Sequence, residues 1–386
     1  MDAFWGSRPG IVPCTTMGTT PPDTALYILR RNAGGVGGAE LVVARFVRMF
    51  ERTRDVTTLS EETLGLRHAP LDRLLPKWWR PVQYASRMDR HIRGLRPGLV
   101  LSLERGPRCT IYRAGDGAHR RWLEIKGGLW NWCNPMHWVL PHLERRSLDG
   151  ADVVVANSEM VRRDLERFHP DAAGKIRVIH NGVDQSRFCW SDEGRHAVRA
   201  SIGWTDEGTH WLFVGSGWAR KGLQTAMQLV AHQAAQAEHL STPPPTLHVA
   251  GRGRPEQYRS ITSRLGIEHL IMFHGPQEDL HRWYRAADLM VLPTAYDPCS
   301  NATLEALACG CPVITTTTNG ASEAISISEA GLVLDATCPD HDLVTTWLQS
   351  HQDPMSRRRI AESMANWTQE REQAAYESLF AELTQP

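Results

Sequence analysis

Two acids eight positions apart, Asp297 and Glu305, lie where an apolar run gives way to a helical pattern. The run ends near Pro293, so we expect a short loop that carries Asp297 and a helix that begins at 301–303. Free backbone N–H groups at a helix start bind anions, which makes this segment a natural pyrophosphate site. Asp297 would reach a sugar hydroxyl, and Glu305, one turn into the helix, would bind both hydroxyls of a ribose. The predicted phosphate ligands are Ser300, Asn301, Ala302 and Thr303.

A glycine-rich turn upstream adds two cations. An apolar run that ends at Val214 leads to Gly217 and then to the adjacent pair Arg220 and Lys221. Glycine lets a backbone approach a ligand closely, and the cations can neutralise a diphosphate. Each segment alone also fits a structural role, such as a first-turn acid that interacts with the helix dipole. Together they favour a nucleotide site, with Arg252 in a loop beside the base.

Two more glycine-containing loops follow apolar runs in the first half of the chain. Gly37 and Gly38 lie in the first, but the glycine spacing does not match the Gly-x-Gly-x-x-Gly fingerprint of dinucleotide-binding proteins. Asp116 and His119 lie in or just after the second. We expect this second loop to point into a ligand cleft, although an ordinary surface loop fits the same pattern.

Short apolar runs alternate with helical patterns and would position these loops. Runs that are apolar throughout are typical of parallel strands buried on both faces, and the alternation indicates βαβ units. The runs form two sets, separated by the polar segment 183–210. We predict an α/β protein of two Rossmann-like domains that face each other across a cleft at the carboxyl ends of their strands. The predicted parts are a disordered leader (1–24, with Met17 as an alternative start), a first domain (25–190, joined by a C-terminal helix at 365–386) and a second domain (191–364).

The segment 288–324 resembles the donor-site signature of retaining glycosyltransferases of family 4, which have the GT-B fold. In that signature an acid and a glutamate are separated by seven residues. Asp297 stands here in place of the usual first glutamate and shortens the reach by one methylene. The resemblance covers about residues 25–380. It implies that Arg220 and Lys221 hold the diphosphate of a nucleotide-sugar donor, which we expect to be a UDP-linked hexose.

The resemblance also assigns roles in the first domain. Gly37 and Gly38 would lie beside the donor phosphate and the acceptor. Asp116 would orient the acceptor hydroxyl, and His119 would hydrogen-bond the transferred sugar. The implied chemistry is transfer with retention by front-face displacement, in which the departing phosphate accepts the acceptor's proton. No metal and no cofactor is expected, because the two cations stabilise the leaving group and the nucleotide sugar is a co-substrate.

Two other functions remain open at this point. A sugar-nucleotide epimerase of the same fold would need an acid/base pair above the sugar, which the sequence does not show. A nucleotide-binding scaffold without activity is compatible with the replacement at Asp297. The presence of Glu305, Arg220 and Lys221 favours an enzyme over that scaffold.

Composition limits the partners. The chain has 386 residues with 43 basic and 43 acidic side chains, so we expect no global electrostatic attraction to nucleic acid. No apolar run approaches the roughly 18 residues of a membrane-spanning helix. The eight cysteines are scattered without zinc-ligand spacing, which favours free thiols in a reducing cytoplasm.

The segment 119–146 alternates tryptophans with cations. Such mixtures are typical of interfacial membrane segments, although buried aromatics with solvated charges fit equally well. A similarity to lipopolysaccharide core glycosyltransferases, which act on a lipid-linked acceptor at the inner membrane face, favours a peripheral contact with an anionic inner-membrane surface. The cations Arg120, Arg121 and Lys126 would make that contact.

Overall fold

The structure is a computed structural model that describes residues 25–31, 38–64, 76–95, 98–128, 133–191, 195–205, 208–351, 353 and 355–385. The predicted leader, 1–24, and the predicted phosphate residue Gly37 lie outside these ranges. So do Trp130 and Trp132 of the tryptophan-rich segment.

The first domain is a parallel sheet of six strands in the order β2-β1-β3-β4-β5-β6. Every residue of β3, β4 and β5 is buried, as expected for strands covered by helices on both faces. The strands are β1 (Ala25–Leu29), β2 (Asp55–Leu59), β3 (Leu99–Ser102), β4 (Ile111–Arg113), β5 (Val153–Ala156) and β6 (Ile176–Val178). The helices are α1 (Gly38–Phe50), α2 (Arg80–Ile92), α3 (His119–Lys126), α4 (Met136–Gly150) and α5 (Glu159–Phe168).

The second domain repeats this architecture with the order β12-β11-β10-β7-β8-β9. Its strands are β7 (His210–Val214), β8 (Thr246–Ala250), β9 (Ile271–Gly275), β10 (Leu289–Leu292), β11 (Val313–Thr316) and β12 (Gly331–Leu334). Its helices are α6 (Arg195–Ser201), α7 (Trp218–Lys221), α8 (Leu223–Leu240), α9 (Arg259–Leu265), α10 (Leu280–Ala286), α11 (Asn301–Ala308), α12 (His341–Ser350) and α13 (Ser356–Ser363). The predicted α/β fold of two Rossmann-like domains is confirmed.

The strand order determines where loops can meet. In each sheet the order reverses once, between β1 and β3 and between β7 and β10, and ligands bind in the crevice at such a reversal. The predicted cationic turn follows β7, and the predicted acidic loop follows β10. Both therefore lie at the same crevice of the second domain.

The last helix, α14 (Gln369–Thr384), lies against α1 of the first domain. Tyr376 packs edge-on to Phe46 with 5.2 Å between ring centroids, and Phe380 lies 5.1 Å from Phe50. The Arg45 guanidinium donates to the buried Glu372 carboxylate at 3.0 Å. Within the part of the chain that is described, no helix is long and apolar enough to cross a membrane.

Candidate functional site

A cavity of about 460 Å³ lies between the two domains, where their crevices face each other. Its walls combine cations and acids from both sheets. The residues that line it include Arg30, Arg105, Arg113, Asp116 and His119 from the first domain and Arg220, Tyr296, Asp297 and Pro298 from the second.

On the second-domain wall, Asp297 is the centre of a compact charge cluster. It is only 7% exposed, and it forms an ion pair with Lys221 while the Arg220 Nη1 lies 3.6 Å from its carboxylate. Gly222 lets the two loops approach, because a Cβ there would lie 1.9 Å from the carbonyl oxygen of Pro293. The structure therefore brings Lys221 and Asp297, which are 76 positions apart in the sequence, into contact and places Arg220 beside them.

The start of α11 lies next to this cluster, but fewer of its N–H groups are free than the sequence predicts. The Ser300 amide donates to Asn319 Oδ1 at 3.2 Å, and the Thr303 amide donates to the Ser300 carbonyl at 3.1 Å. The Thr303 hydroxyl accepts from Asn319 at 3.0 Å. The Ser300 and Thr303 amides therefore already have partners within the chain, and a phosphate contact by these two residues stays a prediction. Asn301 and Ala302 supply the remaining N–H groups of this turn.

Glu305 lines a second, smaller cavity of about 160 Å³, together with Arg45, Arg48 and Arg187. One of its carboxylate oxygens accepts a hydrogen bond from the Tyr284 hydroxyl at 3.0 Å. Burial raises the pKa of Glu305, and the Tyr284 hydrogen bond and the nearby cations oppose this only in part. Glu305 is thus partly buried and held in one orientation, in a pocket with room for a small polar group.

Arg252 is exposed and is not among the described residues that line either cavity. Its backbone N–H donates to the Ser216 hydroxyl at 3.4 Å, in the turn that contains Gly217. Gly217 itself has the left-handed backbone (φ 71°) that precedes the short helix α7. Gly38 is the first residue of α1, at the edge of the described region.

On the first-domain wall, a buried acid holds His119. The backbone N–H of His119 donates to Glu144 Oε2 at 3.0 Å, and the Arg105 Nε donates to the same oxygen at 3.0 Å. Arg105 also donates to the Gly117 carbonyl at 2.6 Å and lies 3.7 Å from the Asp116 carboxylate. Arg105 and Glu144 therefore position the loop that presents Asp116 and His119 to the cavity.

The protonation states on this wall follow from burial and from Arg105. Burial first, and then the Arg105 charge, lower the pKa of His119 to about 4. Its Nε2 lies 3.1 Å from His137 Nδ1, which suits a neutral imidazole pair. Burial tends to raise the pKa of Asp116, but Arg105 with more distant arginines lowers it on balance, so Asp116 is ionised. His119 is thus a neutral hydrogen-bonding group at neutral pH, and it lines the same cavity as the ionised Asp116.

Contacts between the domains hold the cavity walls together. The Tyr296 hydroxyl of the second domain donates to Asp164 at 3.0 Å and accepts from the Ala118 amide at 3.2 Å. The Ser158 hydroxyl donates to the Pro298 carbonyl at 2.8 Å. Tyr296 and Pro298 flank Asp297, and Ala118 follows Asp116 by two positions, so these contacts hold the Asp297 loop against the Asp116 loop and the start of α5.

Sequence reasoning missed Arg105, Arg113, Glu144 and Tyr296. Arg113 is the last residue of β4, and Arg105 lies in the loop that follows β3. A polar residue at or soon after the end of a buried strand is a signal that was available. Glu144 lies inside the helical pattern of α4 next to two arginines, where the sequence shows only a solvated face. Tyr296 becomes informative only when the two domains are placed together.

The tryptophan-rich segment is only partly a free cationic surface. Arg120 lies 5.4 Å from the Phe168 ring, and Arg121 forms ion pairs with Glu124 and Asp164. Trp122 lines the cavity, whereas Trp138 is 61% exposed. The described part of this segment therefore mixes packed and exposed tryptophans.

Comparison with family models matches most of the chain. The model described as glycosyltransferase family 4 matches residues 36–187, and the model described as glycosyl transferases group 1 matches residues 208–350. The first match covers β2 to β6 of the first sheet, and the second match covers all six strands of the second sheet. The chain is a family 4/group 1 glycosyltransferase.

Relatives and solved structures agree with this family. A D-inositol 3-phosphate glycosyltransferase of Streptomyces bingchenggensis is 28% identical over 58% of this chain and 50% of that protein. The counterpart from Thermomonospora curvata is 31% identical over 56% of this chain and 53% of that protein. This glycosyltransferase thus matches about half the length of these curated relatives.

Among solved structures, WaaG, a glycosyltransferase involved in lipopolysaccharide biosynthesis, superposes with a TM-score of 0.73 at 17% identity, covering 93% of this chain and 98% of WaaG. Anabaena HepE in complex with UDP-glucose superposes with a TM-score of 0.64 at 18% identity, covering 93% of this chain and 98% of HepE. At these identities the similarity establishes the GT-B fold.

Proposed function

We propose that this glycosyltransferase moves a hexosyl group, with retention at the anomeric carbon, from a UDP-linked sugar to a hydroxyl of a glycan or glycolipid. The observation that supports this proposal most is the Arg220–Lys221–Asp297 cluster beside the start of α11. Cations held next to a helix start stabilise the charge that develops on a departing diphosphate. Asp297 would then lie where the sugar is bound.

Across the cavity, the ionised Asp116 is proposed to orient the acceptor hydroxyl. The neutral His119 is proposed to hydrogen-bond the sugar, because an imidazole with a pKa of about 4 is uncharged at neutral pH. Glu305, in its adjoining pocket, is proposed to bind the ribose hydroxyls. Since Arg220 and Lys221 provide the leaving-group stabilisation, we propose that the reaction needs no metal ion.

A single incubation distinguishes this function from its rivals. The protein is mixed with UDP-glucose or another nucleotide sugar, with and without a sugar acceptor, and the products are followed by NMR and chromatography. Formation of UDP together with a glycosylated acceptor supports the proposal. An epimerised nucleotide sugar would indicate an epimerase, and an unchanged donor that still binds would indicate a scaffold.

We propose a lipid-linked acceptor of the lipopolysaccharide core type, used by a cytoplasmic enzyme that contacts the anionic inner-membrane surface. The exposed Trp138 and the cations of segment 119–146 support this. Co-sedimentation with anionic and neutral liposomes tests it, and exchange of Arg120, Arg121 and Lys126 for Gln should remove the anionic preference. Equal binding of both vesicle types would contradict the membrane contact.

A phosphorylated polyol is the second candidate acceptor. The first-domain wall of the cavity carries Arg30, Arg105 and Arg113, and the sequence relatives are named for D-inositol 3-phosphate. An acceptor panel that contains inositol, inositol phosphate and a lipopolysaccharide core oligosaccharide, each with the same donor, decides between the two. The acceptor that increases UDP release above hydrolysis identifies the class.

A further inference from the structure

The last residue of β4, Arg113, is a buried cation that lines the cavity between the domains. Its side chain is 6% exposed. Other buried or partly buried cations of this cleft have an acid beside them: Arg105 pairs with Glu144, and Lys221 pairs with Asp297. Among the residues that the structure describes, no carboxylate forms such a pair with Arg113.

The contacts that Arg113 does make are weaker than an ion pair. Its Nη2 donates to the Asn181 amide oxygen at 2.6 Å, and the guanidinium lies over the Phe46 ring at 5.4 Å from the centroid. The buried Nε has no hydrogen-bond partner in the described part of the chain. Because a buried charge is costly unless it is paired and hydrogen-bonded, this position favours an anionic partner from outside the chain.

The residues that Arg113 contacts indicate which anion it binds. Asn181, its hydrogen-bond partner, donates through Nδ2 to the Asn301 side chain at 3.0 Å, and Asn301 is the first residue of α11. Arg113 also borders the same cavity as Arg220 and Asp297. It therefore approaches, from the first domain, the place where the second domain gathers its diphosphate-binding groups.

We propose that Arg113 is a third diphosphate ligand, supplied by the acceptor-side domain, which binds a phosphate oxygen of the nucleotide-sugar donor opposite Arg220 and Lys221. This inference rests on the proposed function, since it assumes a nucleotide-diphosphate donor. A donor that is bound by cations of both domains links donor binding to the close approach of the two domains. The planar guanidinium is suited to this, because it can donate to Asn181 and to a phosphate at the same time.

The test compares Arg113→Gln and Arg113→Lys with a matched control, Arg145→Gln, an exposed first-domain arginine paired with Asp149 and Asp171. Affinities for UDP, GDP and ADP are measured by calorimetry, and affinity for the corresponding nucleoside by NMR titration. Arg113→Gln should weaken diphosphate binding by roughly tenfold to a hundredfold and leave nucleoside binding unchanged. The diphosphate affinity of Arg113→Lys should lie between those of the wild type and Arg113→Gln, and the affinity of Arg145→Gln should equal that of the wild type.

Three results would overturn the proposal. Equal losses for diphosphate and nucleoside would make Arg113 a structural residue of the cleft. Unchanged diphosphate affinity with a raised acceptor KM would assign its anion to a phosphorylated acceptor. If Arg113→Gln fails to fold, Arg113→Lys decides alone, and wild-type diphosphate affinity in that variant contradicts the proposal. Failure of the wild type to bind any nucleoside diphosphate would instead refute the proposed function itself.

Discussion

The replacement Asp297→Asn separates electrostatic stabilisation of the fold from catalysis. Asp297 is 7% exposed and is the ion-pair partner of Lys221, whose side chain is 12% exposed. Removing one partner of a buried ion pair costs about 3–5 kcal/mol, because the other charge stays buried. Lys221 keeps the Ser300 hydroxyl as a hydrogen-bond partner at 3.5 Å, so we expect the lower end of that range.

For a domain of this size, 1 kcal/mol corresponds to about 2–4 °C in Tm. At about 3 kcal/mol, Asp297→Asn should therefore lower the Tm of the protein by about 6–12 °C. A bound diphosphate supplies the anion that Lys221 has lost, so UDP should bind the variant at least as tightly as the wild type. Saturation at a hundred times the Kd then returns about 2.7 kcal/mol.

The assay is differential scanning calorimetry of the wild type and the variant, with and without UDP, combined with turnover of UDP-glucose. We expect a lower Tm, intact UDP binding and a reduced turnover, because Asp297 is proposed to act on the sugar. An unchanged Tm would show that the ion pair contributes nothing to stability. A parallel loss of UDP affinity and turnover would place Asp297 among the phosphate ligands.

Three further predictions concern other residues. Glu305→Ala should weaken the affinity for UDP by roughly tenfold to a hundredfold, because a charge-assisted hydrogen bond contributes about 1.5–3 kcal/mol. Calorimetry measures this affinity. Arg220→Ala and Lys221→Ala should each lower kcat with the far-UV circular dichroism unchanged, and wild-type rates in both would make the glycine-rich turn purely structural. Burial, with His210 and His274 beside it, lowers the pKa of His248 to about 3 from an ordinary value of 6.5, so stability should fall as pH drops below about 6.5. His248→Gln should flatten that decline in urea titrations at pH 7 and pH 4.5, and an unchanged slope would assign the acid sensitivity elsewhere.

The sign of the pH effect follows from which state binds the proton. The unfolded chain protonates His248 near its ordinary pKa, whereas the folded chain resists protonation until about pH 3. Between these values the unfolded state holds more protons, so acid favours it. His119, with a pKa of about 4, contributes in the same direction over a narrower range.

Much of the fold was predictable because each buried strand is a short apolar run. β7 and β10 end at Val214 and Leu292, close to where the sequence placed them, and the loops that follow carry the predicted cations and acid. A parallel sheet buried on both faces leaves few alternatives for such runs, and the carboxyl ends of the strands gather the loops. The family resemblance then made the architecture specific.

The parts of the site that depend on long-range contacts were not predictable. Tyr296 meets Asp164 across 132 positions, and Arg105 meets Glu144 across 39, with no local pattern to announce either contact. The sequence also shows a helix start without showing that Asn319 occupies the Ser300 amide. Local sequence patterns identify which polar groups lie at a crevice. Tertiary packing determines which of those groups already have hydrogen-bond or ion-pair partners within the protein.

Arg220, Lys221 and the start of α11 are proposed to stabilise a departing nucleoside diphosphate. The most direct measurement is nucleoside diphosphate release from a panel of nucleotide sugars, in the presence of a chelator, by the wild type and by the Arg220→Ala/Lys221→Ala double variant. We expect the wild type to release nucleoside diphosphate from at least one donor, at a rate that the chelator does not change. The double variant should lose most of this activity while it still binds the nucleoside. Release at the wild-type rate by the double variant would show that the two cations do not stabilise the leaving group.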